Sequence, residues 1–295
     1  VIPTSRFLDQ APSVLEEDSP QRGEMEAAVG VTPSAWAAHP QKGESSQSHN
    51  LPVGVCRLAR CARHGQASSM NVVETATTQP FGGVVLAPME GITAPFFRQL
   101  MSGYGGFSMV CTEFVRVTDA PLSPKSLRRA IGIRAEHTPL SVQVMGQSPE
   151  QMRRAGEAID QLDVAAVDIN LGCPMPRIVR GGVGAAMLQS PETLRRVLGE
   201  MRQAVRGTLS IKMRAGYYSP REALGIGELA QAEGVDFVTV HARSAVQRYE
   251  GVADWDVIAA LVEALRIPVL GNGDLWYADR AVALQRATGC AGLML

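Results

Sequence analysis

Charge of one sign is what this chain lacks most clearly. Its 28 Lys and Arg stand against 29 Asp and Glu, for a formal net charge of −1. Composition by itself therefore gives no sign of a nucleic-acid partner. Cysteine is sparse: five residues, an odd number at scattered spacing, which excludes a disulfide framework and points to a reduced, cytoplasmic setting. No apolar run approaches the ~18 residues of a membrane span. The opening residues show no basic-then-apolar signal pattern. They carry Asp9, Glu16, Glu17, Asp18, Glu24 and Glu26, too many acids for an organelle transit segment. Residues 1–69 also lack any lasting helical or alternating period, so they are expected to be a disordered extension, upstream read-through ahead of Met70. Cys56, Cys61 and His64 lie close together there, but no fourth ligand stands at zinc-site spacing, and no metal is expected.

What the chain does have begins at residue 83. Short apolar runs alternate with amphipathic stretches. The expected strands are Gly83–Ala87, Ser108–Thr112, Leu140–Met145, Ala165–Asn170, Leu209–Met213, Asp236–His241, Ile267–Gly271 and Ala291–Leu295. Their continuous apolar character suits parallel strands covered on both faces. Ser148-Pro149-Glu150-Gln151 and Ser219-Pro220-Arg221-Glu222 are helix starts, each with a capping Ser, a Pro at the first helical position and a Gln or Glu after it. Leu194, Val197, Leu198 and Met201 recur at helical spacing. Strand then helix, repeated to an eighth strand, predicts an α/β fold, a (β/α)8 TIM barrel over 83–295 that lacks the last helix. A doubly wound open sheet is the alternative.

In such a barrel, chemistry sits at the C-terminal strand ends. Nearly every strand here ends in polar groups: Pro88-Met89-Glu90-Gly91, Thr112-Glu113, Gln143, Asn170 with Cys173, Lys212 with Arg214, His241 with Arg243, and Asn272-Gly273-Asp274. Each has a plainer reading. Gln143 could bond a loop, Thr112-Glu113 could be a capping pair, His241 could be a satisfied core histidine and Cys173 a buried small hydrophobe. Two of them are harder to dismiss. Cys173 follows a strand and precedes a proline, and Lys212 lies in a buried-strand context where an unpaired cation is costly.

The segments APMEGITAPFFR, CTEFVRV, SVQVMGQ, DINLGCP, IKMRAGY, HARSAVQRYEG and GNGDLW, in this order, resemble the tRNA-dihydrouridine synthases. TEFVRV (Thr112–Val117) with NGDLW (Asn272–Trp276) is most similar to the bacterial C subfamily, which modifies uridine 16 of the D-loop. The resemblance spans 83–295. It implies an enzyme that uses flavin mononucleotide (FMN), with NADPH as reductant, to reduce a uridine in tRNA. It implies that Pro88, Met89 and Glu90 pack on the flavin and that Gln143 bonds its edge. Lys212 is implied at the N1–O2 side, His241 as a flavin contact, and Asn272, Gly273 and Asp274 as the phosphate-side turn. Cys173 is implied as the catalytic acid. Asn170, Arg177, Arg180, Arg214 and Arg243 are expected toward the RNA. A monomer is expected.

The chemistry suits these residue types. Uracil's C5=C6 bond is conjugated to C4=O, so hydride enters at C6, charge appears as an enolate, and C5 takes a proton. A rigidly held thiol can deliver that proton, and Gly172-Cys173-Pro174 supplies the rigidity. The following stretch (Arg177, Arg180, then Gly181, Gly182 and Gly184) is expected as a flexible basic loop that closes over RNA. Extrusion of the target base into the barrel mouth is implied. Two departures stand out. Met175-Pro176-Arg177 replaces the Lys or Ser-Lys that usually follows the Cys-Pro, and the phosphate loop and helical domain that usually follow strand eight are expected to be missing. Exposed apolar surface at Val84, Val85, Leu86, Leu293 and Leu295, poor solubility and weak FMN retention are therefore expected. Two other readings compete: an FMN barrel acting on a free small molecule, in the manner of dihydroorotate dehydrogenase or an ene-reductase, and an inactive fragment.

Overall fold

The structure, a computed structural model, describes residues 82–132 and 138–295. The expected disordered extension and the Cys56, Cys61, His64 group lie outside the described residues. The described chain runs β1 (Gly83–Leu86), α1 (Pro95–Tyr104), β2 (Met109–Cys111), β3 (Val115–Arg116), α2 (Pro124–Ile131), β4 (Leu140–Met145), α3 (Pro149–Asp160), β5 (Ala166–Leu171), α4 (Pro176–Val179), α5 (Pro191–Ala204), β6 (Leu209–Arg214), α6 (Ala223–Ala232), β7 (Phe237–His241), α7 (Asp256–Ala264), β8 (Val269–Asn272), α8 (Ala278–Thr288) and β9 (Gly292–Met294). A 3₁₀ turn over Gly184–Gln189 precedes α5, and another over Pro220–Glu222 leads into α6.

All the strand pairings are parallel. β1 lies between β2 and β9, β2 continues to β4, and β4 through β9 follow in chain order, which closes an eight-stave barrel. The fold is the expected TIM barrel. One stave is broken. Cys111 pairs with Ser141, but Val115 pairs with Val144, so one side of the ladder holds an extra residue. The Thr112 hydroxyl accepts from the Gln143 backbone N–H at 3.1 Å, satisfying a donor that the interruption would otherwise strand. This β3 piece was not expected; a two-residue strand beside a bulge has no period to read.

The expected helix starts hold. Ser148 Oγ accepts from Gln151 N, and Ser219 with Glu222 forms a reciprocal capping box. Leu194, Val197, Leu198 and Met201 of α5 are buried as their spacing predicts.

The strands are covered on both faces, but not by the same chemistry. Outward side chains such as Leu86, Val142, Val144, Ile169, Ile211, Val240 and Leu293 form the main core beneath the helices. Inward ones form a small separate cluster (Val85, Ala87, Met109, Cys111, Phe237, Leu270, Met294) at the bottom of the barrel, and polar groups fill the rest. This corrects the expected exposure at the barrel seam. Val85 points inward and is fully buried, and Leu86 and Leu293 are only 4% exposed. Of the named residues Leu295 alone, at 43%, is largely open to water.

Candidate active site

Strand alternation brings Gln143 of β4, Asp168 and Asn170 of β5, Ser210 and Lys212 of β6, His241 of β7 and Asn272 of β8 to the inner, C-terminal part of the barrel. Asp168, buried level with Gln143 and Ser210, was missed. An acid inside the run Ala165-Ala166-Val167-Asp168-Ile169 was the available signal, since only inward placement with donors makes it affordable. Gln143 Nε2 donates to Asp168 Oδ2 at 2.7 Å, and Ser210 Oγ donates to Asp168 Oδ1 at 2.6 Å. Burial pushes the Asp168 carboxyl up to about 6, against the pull of Ser210, Gln143 and Lys212.

Asn170 extends this chain toward the mouth. Its Nδ2 donates to Gln143 Oε1 at 2.8 Å, and its Oδ1 accepts the backbone N–H of Gly172 (3.1 Å) and of Cys173 (3.0 Å). An Asx-type turn therefore fixes the corner that carries Cys173. From the other side, Ala185 N donates to Cys173 O at 3.1 Å, and Gly184 packs beneath. A Cβ on Gly184 would stand 2.9 Å from Cys173 O and from Ile178 Cγ2, and its φ is +63°. The glycines after Cys173 thus serve close packing. The stretch expected as a flexible basic loop is instead a short helix, α4, followed by a 3₁₀ turn, with Ile178, Gly184 and Ala185 buried. Arg177 and Arg180 are exposed on it.

Lys212 Nζ donates to Asn272 Oδ1 at 3.2 Å, and Asn272 Nδ2 donates to Met294 O at 2.8 Å, so β6, β8 and β9 meet at one amide. Burial draws the Lys212 ammonium down to about 8, with Arg214 pulling the same way and Asp168 opposing. His241 stands against Lys212, Arg214 and Arg243. Burial, then these three cations, hold its imidazole far below the usual histidine range, so it is neutral, and its buried Nδ1 has no hydrogen-bond partner.

The two expected RNA-facing arginines on these strands are committed inside the protein. Arg214 is 3% exposed, donates to the Ser244 and Arg248 carbonyls, and lies 5.1 Å from the Tyr249 ring centroid. Arg243 donates to Glu250 O, Gly251 O and Asp274 Oδ2. Asp274 also accepts from Ala253 N, so this pair ties the loop after β7 to the loop after β8. Gly273 takes φ +117°, and its carbonyl accepts from Trp255 Nε1. After β1, Pro88 and Met89 are half-buried and Glu90 is exposed. Met89 N donates to Thr93 Oγ1, and Gly91 N donates to Glu113 Oε1 at 2.6 Å, which gives Glu113 a loop-tying role.

A cleft of about 360 Å3, lined in part by Pro174, Arg180, Tyr217, Val246 and Arg248, lies between α4 and the loops after β6 and β7; Cys173 and the inward polar residues are not part of its lining. Among the described residues no helix is long and apolar enough to cross a membrane, and no group of three or more His, Cys, Asp and Glu could hold a metal.

The chain is similar to known proteins. The chain is 32% identical to a tRNA-dihydrouridine(16) synthase of Ralstonia nicotianae over 220 residues, covering 72% of this chain and 68% of that one. It is 34% identical to a protein of the same description from Shewanella oneidensis, covering 72% and 70%. A histamine dehydrogenase from Rhizobium sp. 4-9, solved at 2.1 Å, shares the fold, with TM-score 0.52 and 10% identity over 72% of this chain and 43% of that one. The family model described as dihydrouridine synthase (Dus) matches residues 85–295, within which every one of these mouth residues falls. The chain belongs to the dihydrouridine synthase family, on the branch of the C-subfamily, uridine-16 enzymes.

Proposed function

We propose that this protein reduces the C5=C6 bond of a uridine in the tRNA D-loop, uridine 16, to 5,6-dihydrouridine, with FMN as cofactor and NADPH as reductant. The observation that carries the reading is the placement of Cys173. It is a free thiol, half-buried, and its corner at the end of β5 is fixed by Asn170 and by close packing of Gly184.

The barrel mouth fits a flavin mononucleotide on its own chemistry. The unpartnered His241 Nδ1 asks for a ligand, and the three cations around it favour an anionic one. Pro88, Met89, Gln143, Lys212, His241, Asn272 and Gly273 would hold it, with Glu90 and Asp274 shaping the adjoining turns. When bound and reduced by NADPH, FMN would supply the hydride for C6 of the base.

The protein's own part is positioning, charge and a proton. Lys212 keeps a substantial cationic fraction at neutral pH and stabilises negative charge in a partly dry site. Cys173 gives its thiol proton to C5 as charge leaves the ring, and the fixed corner spares the reaction the entropy of finding it. Exposed Arg177, Arg180 and Arg248 meet phosphates around the extruded base, while Tyr218 and Tyr249, 67% and 73% exposed, offer stacking faces.

The test is turnover of unmodified tRNA transcript with NADPH, reading dihydrouridine by mass spectrometry of nuclease fragments. Product at position 16 is expected. Turnover of free orotate or an enone, with none on tRNA, overturns the reading. Lys212→Met is expected to weaken FMN retention about tenfold, the loss of one charge-assisted contact, measured by flavin absorbance after gel filtration.

A further inference from the structure

The polar chain beneath Cys173 has a direction. A buried carboxylate can only accept hydrogen bonds, and a primary amide has one accepting and one donating end. Asp168 faces Gln143 and Ser210 from a position 2% exposed. Because it accepts, Gln143 must present Nε2 to it. Gln143 Oε1 then points to Asn170 and takes its Nδ2. That leaves Asn170 Oδ1 to receive the amides of Gly172 and Cys173. Turning either amide over would set acceptor against acceptor at one end and donor against donor at the other. Gln143 is fully buried and Asn170 nearly so, which makes an unmatched donor or acceptor in this chain costly.

We propose that Asp168 is a positioning residue for the active site: through Gln143 and Asn170 it sets the amide orientation that holds the Cys173 corner in place. Asp168 does not meet the reacting atoms. It acts two side chains away, and it leaves the second N–H of Asn170 Nδ2 as a donor near the mouth, so any group placed there must be an acceptor. The inference rests on Cys173 as the active thiol, but the position of Cys173 is measurable whatever that thiol reacts with.

The experiment is the alkylation rate of Cys173 by iodoacetamide in the whole, folded chain, read on the Cys173 peptide by mass spectrometry. Cys111 and Cys290 are buried and label separately. Asp168→Leu removes the acceptor and is expected to raise the rate about tenfold, the factor matching loss of one net hydrogen bond. Gln143→Met cuts the next link and should do the same, so the idea stays testable if the first variant is insoluble. Ser210→Ala removes the other donor to Asp168 but leaves the chain to Cys173 whole, and should label at the parental rate.

The double exchange Asp168→Asn with Gln143→Glu reverses the first bond while preserving the acceptor that faces Asn170. It should label within about twofold of the parent, since the same number of hydrogen bonds is kept. Parental labelling in both cut variants overturns the proposal. So does rapid labelling in the double exchange, or a rise in Ser210→Ala equal to that of the cut variants, which would make Asp168 a stabilising buried acid only.

Discussion

Cys173, Lys212 and His241 are three titratable residues whose surroundings differ because the barrel buries them to different degrees. Cys173→Ala removes the only proton donor assigned to C5. Dihydrouridine formation should fall at least about a hundredfold, the usual worth of a general acid, while flavin content stays parental. Full activity in that variant would remove Cys173 from the reaction. His241 gives a prediction about stability. Its folded-state pKa is depressed below the ordinary 6.5. The stability it contributes is therefore present above pH 6.5 and is lost as pH falls below it, because the unfolded chain gains a proton that the folded one refuses. Between pH 7.5 and 5.5 the loss is about 1.4 kcal/mol. Asp168 works in the opposite direction: its pKa is raised to about 6, so folding gains as pH drops through that value. Comparing the parent with His241→Asn by urea unfolding at the two pH values cancels the Asp168 contribution. The variant should lose about 1.4 kcal/mol less than the parent; an equal loss would mean that His241 protonates in the folded state.

At the scale of elements, the segment from α4 through the 3₁₀ turn to α5 is a brace for the Cys173 corner. Gly184 is its closest approach. A methyl group there meets backbone on one side and Ile178 on the other, at a φ that L-residues rarely adopt. Gly184→Ala should cost about 2 kcal/mol, from overpacking and the left-handed backbone together. It should also slow turnover more than Kd for tRNA changes, because it moves the thiol and not the exposed arginines. Thermal unfolding and single-turnover rates check both halves. A variant of parental stability would show that the brace yields easily. The loops after β7 and β8 are braced differently, by the Arg243–Asp274 ion pair, whose carboxylate burial would raise but Ala253 N–H and Arg243 hold below the usual range.

At the scale of the whole molecule, the barrel closes within its own strands. β9 pairs with β8 through Leu270 and Gly292, and with β1 through Val84 and Leu293. Parallel staves leave no open edge at the seam. Gly271 lets the Trp255 ring lie against β8, where an added Cβ would sit 2.4 Å from it. A chain starting at Met70 should therefore fold and unfold at the same temperature as the full chain, within about 2 °C, equivalent to well under 1 kcal/mol for a domain of this size. A loss of soluble protein on that deletion would show that residues 1–69 support the barrel.

The sequence by itself determined the barrel, its strand order and helix starts, and the polar residues at the strand ends. Those features are local: apolar runs of strand length, Ser-Pro caps and a Cys-Pro corner are written in adjacent residues. The tertiary structure decided which side of each strand does what. Whether Val85 is outward cover or inward core depends on Met109, Phe237, Leu270 and Met294 from other strands, and whether Asp168 is a cost or an anchor depends on Gln143 of β4 and Ser210 of β6. The same holds for Arg214 and Arg243. Their positions read as RNA contacts, and only folding shows the carbonyls and the carboxylate that take their hydrogen bonds. A long side chain's partner is fixed by closure of the barrel, because only then do groups from distant strands come within 3 Å of one another.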